Sequence, residues 1–365
     1  MTGVRGVNFG YHWDAIKHLG AVRQTVETGI LLPHSYLYPS MTYLLTLSCV
    51  APEDVAAVAS GATSLESFKA AVSPILGTRE FLLRVRTVFI VLRALAILCV
   101  YAAVLAWRRG HLEATLAAGL LGTSWEFAYH SRWIAPDCLV VVLSAMTLLG
   151  FGLAVREGAP LGWFWLSCIT AGLACATKYP SGLLLLPCLV AAWLTRGPSL
   201  KSRTKLALLS LLLFSAAFLV VTPGMVLEPF RFIDDVQWQR SVYGVKGHFG
   251  YTVRSNLVHS FKIVQYLGMV FFARHSAIAV LFFGFACFGT YKLVRESAKR
   301  AAVFLLFPVL YVLLFSVQRV MIVRNDLVVA PFLAILSARG TASLLSLIPL
   351  SDVARRRSSP PHAGR

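Results

Sequence analysis

From residue 87 onward, long apolar runs alternate with short polar breaks: Thr87–Trp107, Leu112–Phe127, Cys138–Val155, Leu161–Thr177, Ser181–Leu194, Leu206–Thr222, Ala277–Leu293, Ala301–Val317 and Leu327–Leu347. A helix needs about 20 apolar residues to cross the hydrocarbon core of a bilayer. The pattern therefore predicts an all-α, polytopic transmembrane helical bundle of about nine spans, several of them short. Ahead of these runs stands a polar, aromatic-rich stretch, Tyr11–Ser40, broken by Gly20, Gly29, Pro33 and Pro39 as expected of a loop that folds back on itself. Met41–Val50 is apolar but too short to span, so it reads as interfacial or re-entrant. Ala51–Glu80, with small residues and mixed charge, completes a large first loop carrying interfacial helices.

Basic residues mark one side. Arg108–Arg109, Arg196–Lys205, Lys292–Arg300 and Arg355–Arg357 fall together when the nine runs are counted through, and the positive-inside rule makes that side cytoplasmic. The first loop is then external, as are His130–Asp137, Lys178–Tyr179, Pro223–His275 and Gln318–Asp326, where the polar residues collect. An odd number of spans leaves the N-terminus outside, and MTGVRGVNFGYHWD has no apolar core that would make it a signal peptide. The expectation is that a tenth, N-terminal span precedes this sequence.

Composition removes other classes. Of 365 residues, 57% are hydrophobic and 14% charged, and the mean hydropathy is +0.71, which excludes a pair of soluble domains. The net charge of +18 would suggest nucleic acid in a soluble protein. No nucleic-acid motif is present, so the charge belongs to loops facing anionic membrane lipids, with some kept for a phosphate ligand. The seven cysteines are scattered without metal spacing and read as packing residues.

Several charged positions are candidates for chemistry. Asp14, Lys17 and His18 lie three and four apart and share one face of a helix. Arg79, Arg86 and Arg93 recur at intervals of seven, and if the helix reaches back that far they share nearly one face. Arg93 then lies about 10 Å below Arg86, where a charge is either functional or snorkelling. Lys178, Arg132 and Arg324 stand at external span boundaries and either grip a phosphate or snorkel. Asp137 follows Pro136 at a helix start, as a working acid or as a carboxylate favoured by the macrodipole. Asp14 is likewise either a base or a helix cap. His248 follows a glycine that lets backbone approach a ligand, and otherwise is a surface residue. Asp234 and Asp235 are adjacent and point apart on a helix, so they do not make a metal pair.

These residues sit in recognisable segments. Asp14, Gly29 and Tyr38-Pro39-Ser40 occupy the first; Ser131-Arg132 with Pro136-Asp137 the second; Gly172-Leu173-Ala174 with Thr177-Lys178-Tyr179 the third; Thr222-Pro223 with Gly247-His248-Phe249-Gly250 the fourth. Arg324-Asn325 ahead of Pro331-Phe332 adds a late turn. Over roughly residues 11–340 their order resembles the GT-C superfamily of membrane glycosyltransferases. The likeness is to bacterial relatives of dolichyl-phosphate-mannose protein mannosyltransferases and of lipid A aminoarabinose transferases. The family's acidic pair is reduced here to Asp14 followed by Ala15.

The resemblance implies inverting transfer of a sugar from a polyprenyl-phosphate donor to a lipid, glycan or protein acceptor. Asp14 is the implied base and Asp137 a second acid, with room for a divalent metal at the two and no other cofactor implied. Lys178, Arg86, Arg93, Arg132, His248 and Arg324 become donor-phosphate contacts, and Tyr38, Lys17 and His18 substrate contacts. Trp13, Tyr36, Tyr38, Trp125, Tyr129 and Trp133 suit sugar stacking or an interfacial belt. The chain then divides into a first extracytoplasmic loop (1–86), a transmembrane catalytic module (87–222), an extracytoplasmic loop (223–276), C-terminal transmembrane helices (277–350) and a cytoplasmic tail (351–365) with a composition that reads as disordered. A transporter or flippase of an anionic lipid or solute is the competing class, and it calls for mid-membrane polar groups and symmetric broken helices. A degenerate, non-catalytic member of the family is the third reading.

Overall fold

The computed structural model describes residues 12–154, 156, 159–195 and 199–347; the ring of Trp13, the first residues of the Arg196–Lys205 break and the tail from Ser351 lie outside them. The first loop folds as four short helices, α1 (Trp13–Thr28), α2 (Met41–Ser48), α3 (Ala51–Ala59) and α4 (Leu65–Val72). Gly29 ends α1 in the left-handed region (φ 73°), where its N–H reaches Thr25 O, a conformation open to glycine at no steric cost. A capping box between Ser64 and Ser67 starts α4.

The bundle begins with α5 (Arg79–Arg108), whose first turn is capped by the Thr78 hydroxyl accepting the Phe81 N–H. Its 30 residues extend about 45 Å, so the first turns stand beyond the apolar slab. The boundary expected at residue 86 therefore falls inside a continuous helix, which starts at Arg79. There follow α6 (His111–Thr123), α7 (Trp125–His130), α8 (Pro136–Ala154), α9 (Leu161–Cys175), a 3-10 turn Tyr179–Leu184, α10 (Leu185–Thr195) and α11 (Leu200–Val221). The segment after α11 contains α12 (Gly224–Leu227), α13 (Pro229–Ser241) and α14 (Leu257–Met269), and a β-bridge joins Thr252 to Val320. The chain closes with α15 (Ser276–Glu296), α16 (Ala298–Ser316), a 3-10 turn Val323–Val329 and α17 (Ala330–Leu345).

Six of the described helices are long and apolar enough to cross a membrane, or seven if the pair α2 and α3, bent by 42°, counts as one span. This is fewer than the nine apolar runs. The run Leu112–Phe127 is broken at Ser124, whose backbone leaves the helix and whose hydroxyl donates to Phe271 O at 2.9 Å. The run from Ser181 starts in a 3-10 turn holding Pro180 and Gly182, and α9 has 15 residues.

Two spans form the centre. Within their most apolar windows, α8 is 83% buried and Val323–Leu345 72%, against 17–33% for the other four. Two of the site residues described below, Asp137 and Arg324, stand at the N-terminal ends of these two. Close packing of α17 against α15 rests on paired glycines: a methyl group on Gly289 would lie 1.9 Å from Leu336 O, and one on Gly340 2.0 Å from Phe285 O. Small residues at such crossings let helix backbones touch where lipid removes the hydrophobic drive.

At the far end of the bundle Arg108 pairs with Glu296 at 2.5 Å and with Glu113 at 3.4 Å, while Arg339 pairs with Glu113 at 3.6 Å and also contacts Glu296. The polar breaks around Arg108 and Lys292–Arg300 thus lie together, as the charge count expects.

Candidate active site

Four segments remote in sequence bring a chain of ions together. Asp14 lies in the first turn of α1, Asp137 in the first turn of α8, Lys178 just after α9, and Arg324 in the 3-10 turn before α17. Arg324 donates to Asp14 and lies 3.5 Å from Asp137 Oδ2; Lys178 Nζ donates to Asp137 Oδ1 at 2.8 Å. Asp14 is 3% exposed, Asp137 1% and Lys178 7%. Charges this deep persist only when paired, and here two carboxylates face two cations. The turn carrying Arg324 is fixed by Tyr311, whose hydroxyl donates to Asn325 O at 2.8 Å.

The two carboxylates considered for a metal hold the Arg324 guanidinium between them. Among the described residues no three His, Cys, Asp or Glu side chains converge on a metal position. The arrangement fits a guanidinium at this place, not a divalent ion.

His12 joins the chain through Nε2, 2.8 Å from Arg324 Nη1. Asp14 N–H lies 3.3 Å from the other ring nitrogen, Nδ1; burial first, and then Arg324, hold the ring's pKa below the ordinary 6.5. The ring stacks on Trp133 at 5.8 Å. Trp133 is in turn flanked by Arg86 at 5.5 Å and Arg132 at 5.2 Å, and Arg132 also covers Tyr129 at 4.5 Å. Neither Arg86 nor Arg132 has a carboxylate partner among the described residues, and the Nε of each is buried without a hydrogen bond. Two uncompensated guanidinium groups therefore border the ion-pair chain. Arg93, deeper on α5, lies over Phe127 at 5.8 Å and donates to Gly122 O; it closes the frayed end of α6.

On α1, His18 is buried one turn beyond Asp14, and burial lowers its pKa to about 4 although Asp14 opposes the shift. It is neutral at ordinary pH. Its ring faces Tyr38 at 6.0 Å, and Lys17 Nζ lies 5.7 Å from the same ring. A small cleft opens beside Lys17, His18, Tyr38 and Ser40. The three predicted substrate contacts are thus neighbours.

The loop carrying Tyr38 is pinned through Tyr36 and through His34 and Glu228, two residues the sequence did not single out. Tyr36 donates its hydroxyl to Glu228 and its N–H to Asp235 at 2.5 Å, and its carbonyl accepts from Tyr179 at 2.7 Å. His34 donates to Glu228 at 2.5 Å. Burial pushes the Glu228 carboxyl up, but hydrogen bonds from Tyr36 and His34 outweigh it and leave the pKa below its ordinary value. A methyl group on Gly224 would lie 1.9 Å from the Tyr36 hydroxyl, so this position admits glycine alone. Tyr36 is fully buried here and presents no face to a sugar. Glu126, also unforeseen, accepts from Tyr266 at 2.8 Å beside His130 at 3.3 Å.

His248 does not join these groups. It is exposed on a turn closed by Thr252, and among the described residues it has no contact with the ion-pair chain. The adjacent glycines serve the tight turn, with Gly247 at φ 79° against the Thr252 side chain.

Residues 68–223 match the family described as dolichyl-phosphate-mannose-protein mannosyltransferase. Along 89% of its length the chain superposes on ArnT from Cupriavidus metallidurans in the apo state, with a TM-score of 0.58 at 16% identity and 54% of that chain covered. The chain has the GT-C glycosyltransferase fold. A second GT-C structure, the Archaeoglobus fulgidus oligosaccharyltransferase tethered to an acceptor peptide, aligns over 90% of this chain and 45% of its own, with a TM-score of 0.57 at 13% identity. ArnT bound to undecaprenyl phosphate gives a TM-score of 0.54 at 16% identity, over 89% of this chain and 55% of that one. The chain spans about half the length of the GT-C structures it matches. No curated protein matches the sequence.

Proposed function

We propose that this chain is an integral membrane glycosyltransferase that moves a sugar from a polyprenyl-phosphate donor to a lipid, glycan or protein acceptor, with inversion, at the outer face of a bacterial inner membrane. The observation that carries the reading is the buried Asp14–Arg324–Asp137–Lys178 chain bordered by the unpaired Arg86 and Arg132. An amphiphilic phosphate donor needs such cations next to an apolar bundle, and the ArnT neighbour bound to undecaprenyl phosphate supports a donor of this class.

Asp14 takes the proton of the acceptor hydroxyl. The oxygen forms its bond to the anomeric carbon as the bond from that carbon to the phosphate oxygen breaks, and the electron pair leaves on the phosphate. Arg86 and Arg132 stabilise that charge. Arg324 orients Asp14, while Lys178 fixes Asp137 and is a positioning group more than a phosphate ligand. Tyr38, Lys17 and His18 line the entrance for the substrate.

The test is Asp14→Asn, assayed for sugar transfer from polyprenyl-phosphate donors in proteoliposomes. Transfer is expected to fall by 10²-fold or more, the scale of a lost general base, with membrane insertion and donor-lipid binding retained. Undiminished transfer by the variant removes Asp14 from the role of base.

A further inference from the structure

Glu126 is a buried carboxylate that the transfer scheme leaves without a task. It is 7% exposed and stands in the first turn of α7, where a carboxylate persists only when it is paired or hydrogen-bonded. Tyr266 on α14 donates to its Oε2 at 2.8 Å, and His130 Nε2, one turn on along α7, lies 3.3 Å from the same oxygen. Burial pushes the Glu126 carboxyl up, but hydrogen bonds from His130 and Tyr266 outweigh it and leave the pKa below its ordinary value. An ionised carboxylate only accepts, so Nε2 is the nitrogen that carries hydrogen toward it. The ring is thereby held with Nδ1 on its other side.

That ring stands beside the candidate site. α7 packs against the turn that carries Arg324 and against α8. From His130 a row of rings runs to the ion-pair chain: Tyr129 meets His130 edge-on at 5.0 Å, Trp133 meets Tyr129 at 6.2 Å, and His12 stacks on Trp133 at 5.8 Å. Arg132 covers both Tyr129 and Trp133, and Arg86 covers Trp133. His130 thus flanks the same tyrosine as one of the two guanidinium groups that lack a carboxylate. Its side chain keeps 11% exposure, and Nδ1 has no hydrogen bond among the described residues.

We propose that His130 is a third contact for the donor phosphate beside Arg86 and Arg132, donating through Nδ1 to a phosphate oxygen while Glu126 holds Nε2. The inference rests on the reading of this site as one for a polyprenyl-phosphate donor. Phosphate and carboxylate both accept, so the bound ring uses a hydrogen on each nitrogen, and such charge-assisted bonds are roughly twice as strong as neutral ones.

The experiment is native mass spectrometry of the full chain with a polyprenyl phosphate and a polyprenol of equal length, for the parent, His130→Gln and His130→Asn. Glutamine places its amide near the position of Nε2, so it keeps the contact with Glu126 and offers nothing at Nδ1. Asparagine places its amide near Nδ1 and gives up Glu126. The preference for the phosphate lipid is expected to fall about tenfold or more in His130→Gln, the loss of one charge-assisted hydrogen bond, and to fall less in His130→Asn. A ring that only pins α7 to α14 predicts the reverse order. Parent-like preference in His130→Gln, or a larger loss in His130→Asn than in His130→Gln, overturns the proposal, and the glutamine variant alone decides the question if His130→Asn does not fold. Preference lost in Arg86→Ala/Arg132→Ala but kept in His130→Gln refutes the His130 contact alone, whereas no preference in the parent removes the donor-phosphate site and this contact with it.

Discussion

Replacing Lys178 by methionine keeps the unbranched apolar stem, one atom shorter, and removes its charge. In the native fold Lys178 Nζ lies 2.8 Å from Asp137 Oδ1, and Asp137 is 1% exposed. The variant leaves that carboxylate with only Arg324 at 3.5 Å, and Arg324 is already shared with Asp14. Breaking a buried pair from one side costs about 3–5 kcal/mol, because the remaining charge has neither water nor a full partner. Replacing both members, Lys178→Met with Asp137→Asn, relieves most of that penalty, so the double variant should be the more stable of the two. The coupling between the sites should be about 1–3 kcal/mol, the range for residues in one buried network. Reversible unfolding of the parent, Lys178→Met, Asp137→Asn and the double variant in mixed detergent micelles gives the four free energies of the cycle. A Lys178→Met variant within about 0.5 kcal/mol of the parent, the usual size of a surface change, would mean that Lys178 reaches water and that the buried pair is not formed.

Two further outcomes follow from the geometry. Gly224→Ala drives a methyl group into the Tyr36 hydroxyl and should cost about 1–3 kcal/mol by overpacking, with slower transfer as the Tyr38 loop loosens; stability and turnover unchanged from the parent would remove the clamp from the account. His18 has a folded pKa of about 4 against an ordinary 6.5, so its contribution to stability is complete above pH 6.5. As the pH falls through the interval down to about 4, the unfolded chain takes a proton that the folded one refuses, and stability drops by up to about 1.4 kcal/mol per pH unit. Unfolding measured against pH should show this slope in the parent and lose it in His18→Gln, and an unchanged slope would place the titration elsewhere.

The apolar runs made the helical bundle legible, since a span is a local property of about 20 residues. They could not show the break at Ser124, which depends on a carbonyl at Phe271. Asp137, Lys178 and Arg324 stood out at span boundaries and Asp14 in the polar first loop, but their pairing did not. Asp14 and Arg324 are 310 residues apart, and no local signal says that two residues assigned to phosphate would each hold a carboxylate. Glu228 carried no signal in the sequence, because its partners His34 and Tyr36 are 194 and 192 residues away along the chain. His248, whose flanking glycines read as a ligand cradle, stands on a tight exposed turn.

The central claim is that a phosphate-bearing polyprenyl lipid binds beside the buried ion-pair chain. Native mass spectrometry of the full chain with a polyprenyl phosphate and a polyprenol of equal length tests it most directly. Selective retention of the phosphate, lost in Arg86→Ala/Arg132→Ala, is the predicted result. Equal retention of both lipids, or selectivity that survives the loss of the two arginines, contradicts it.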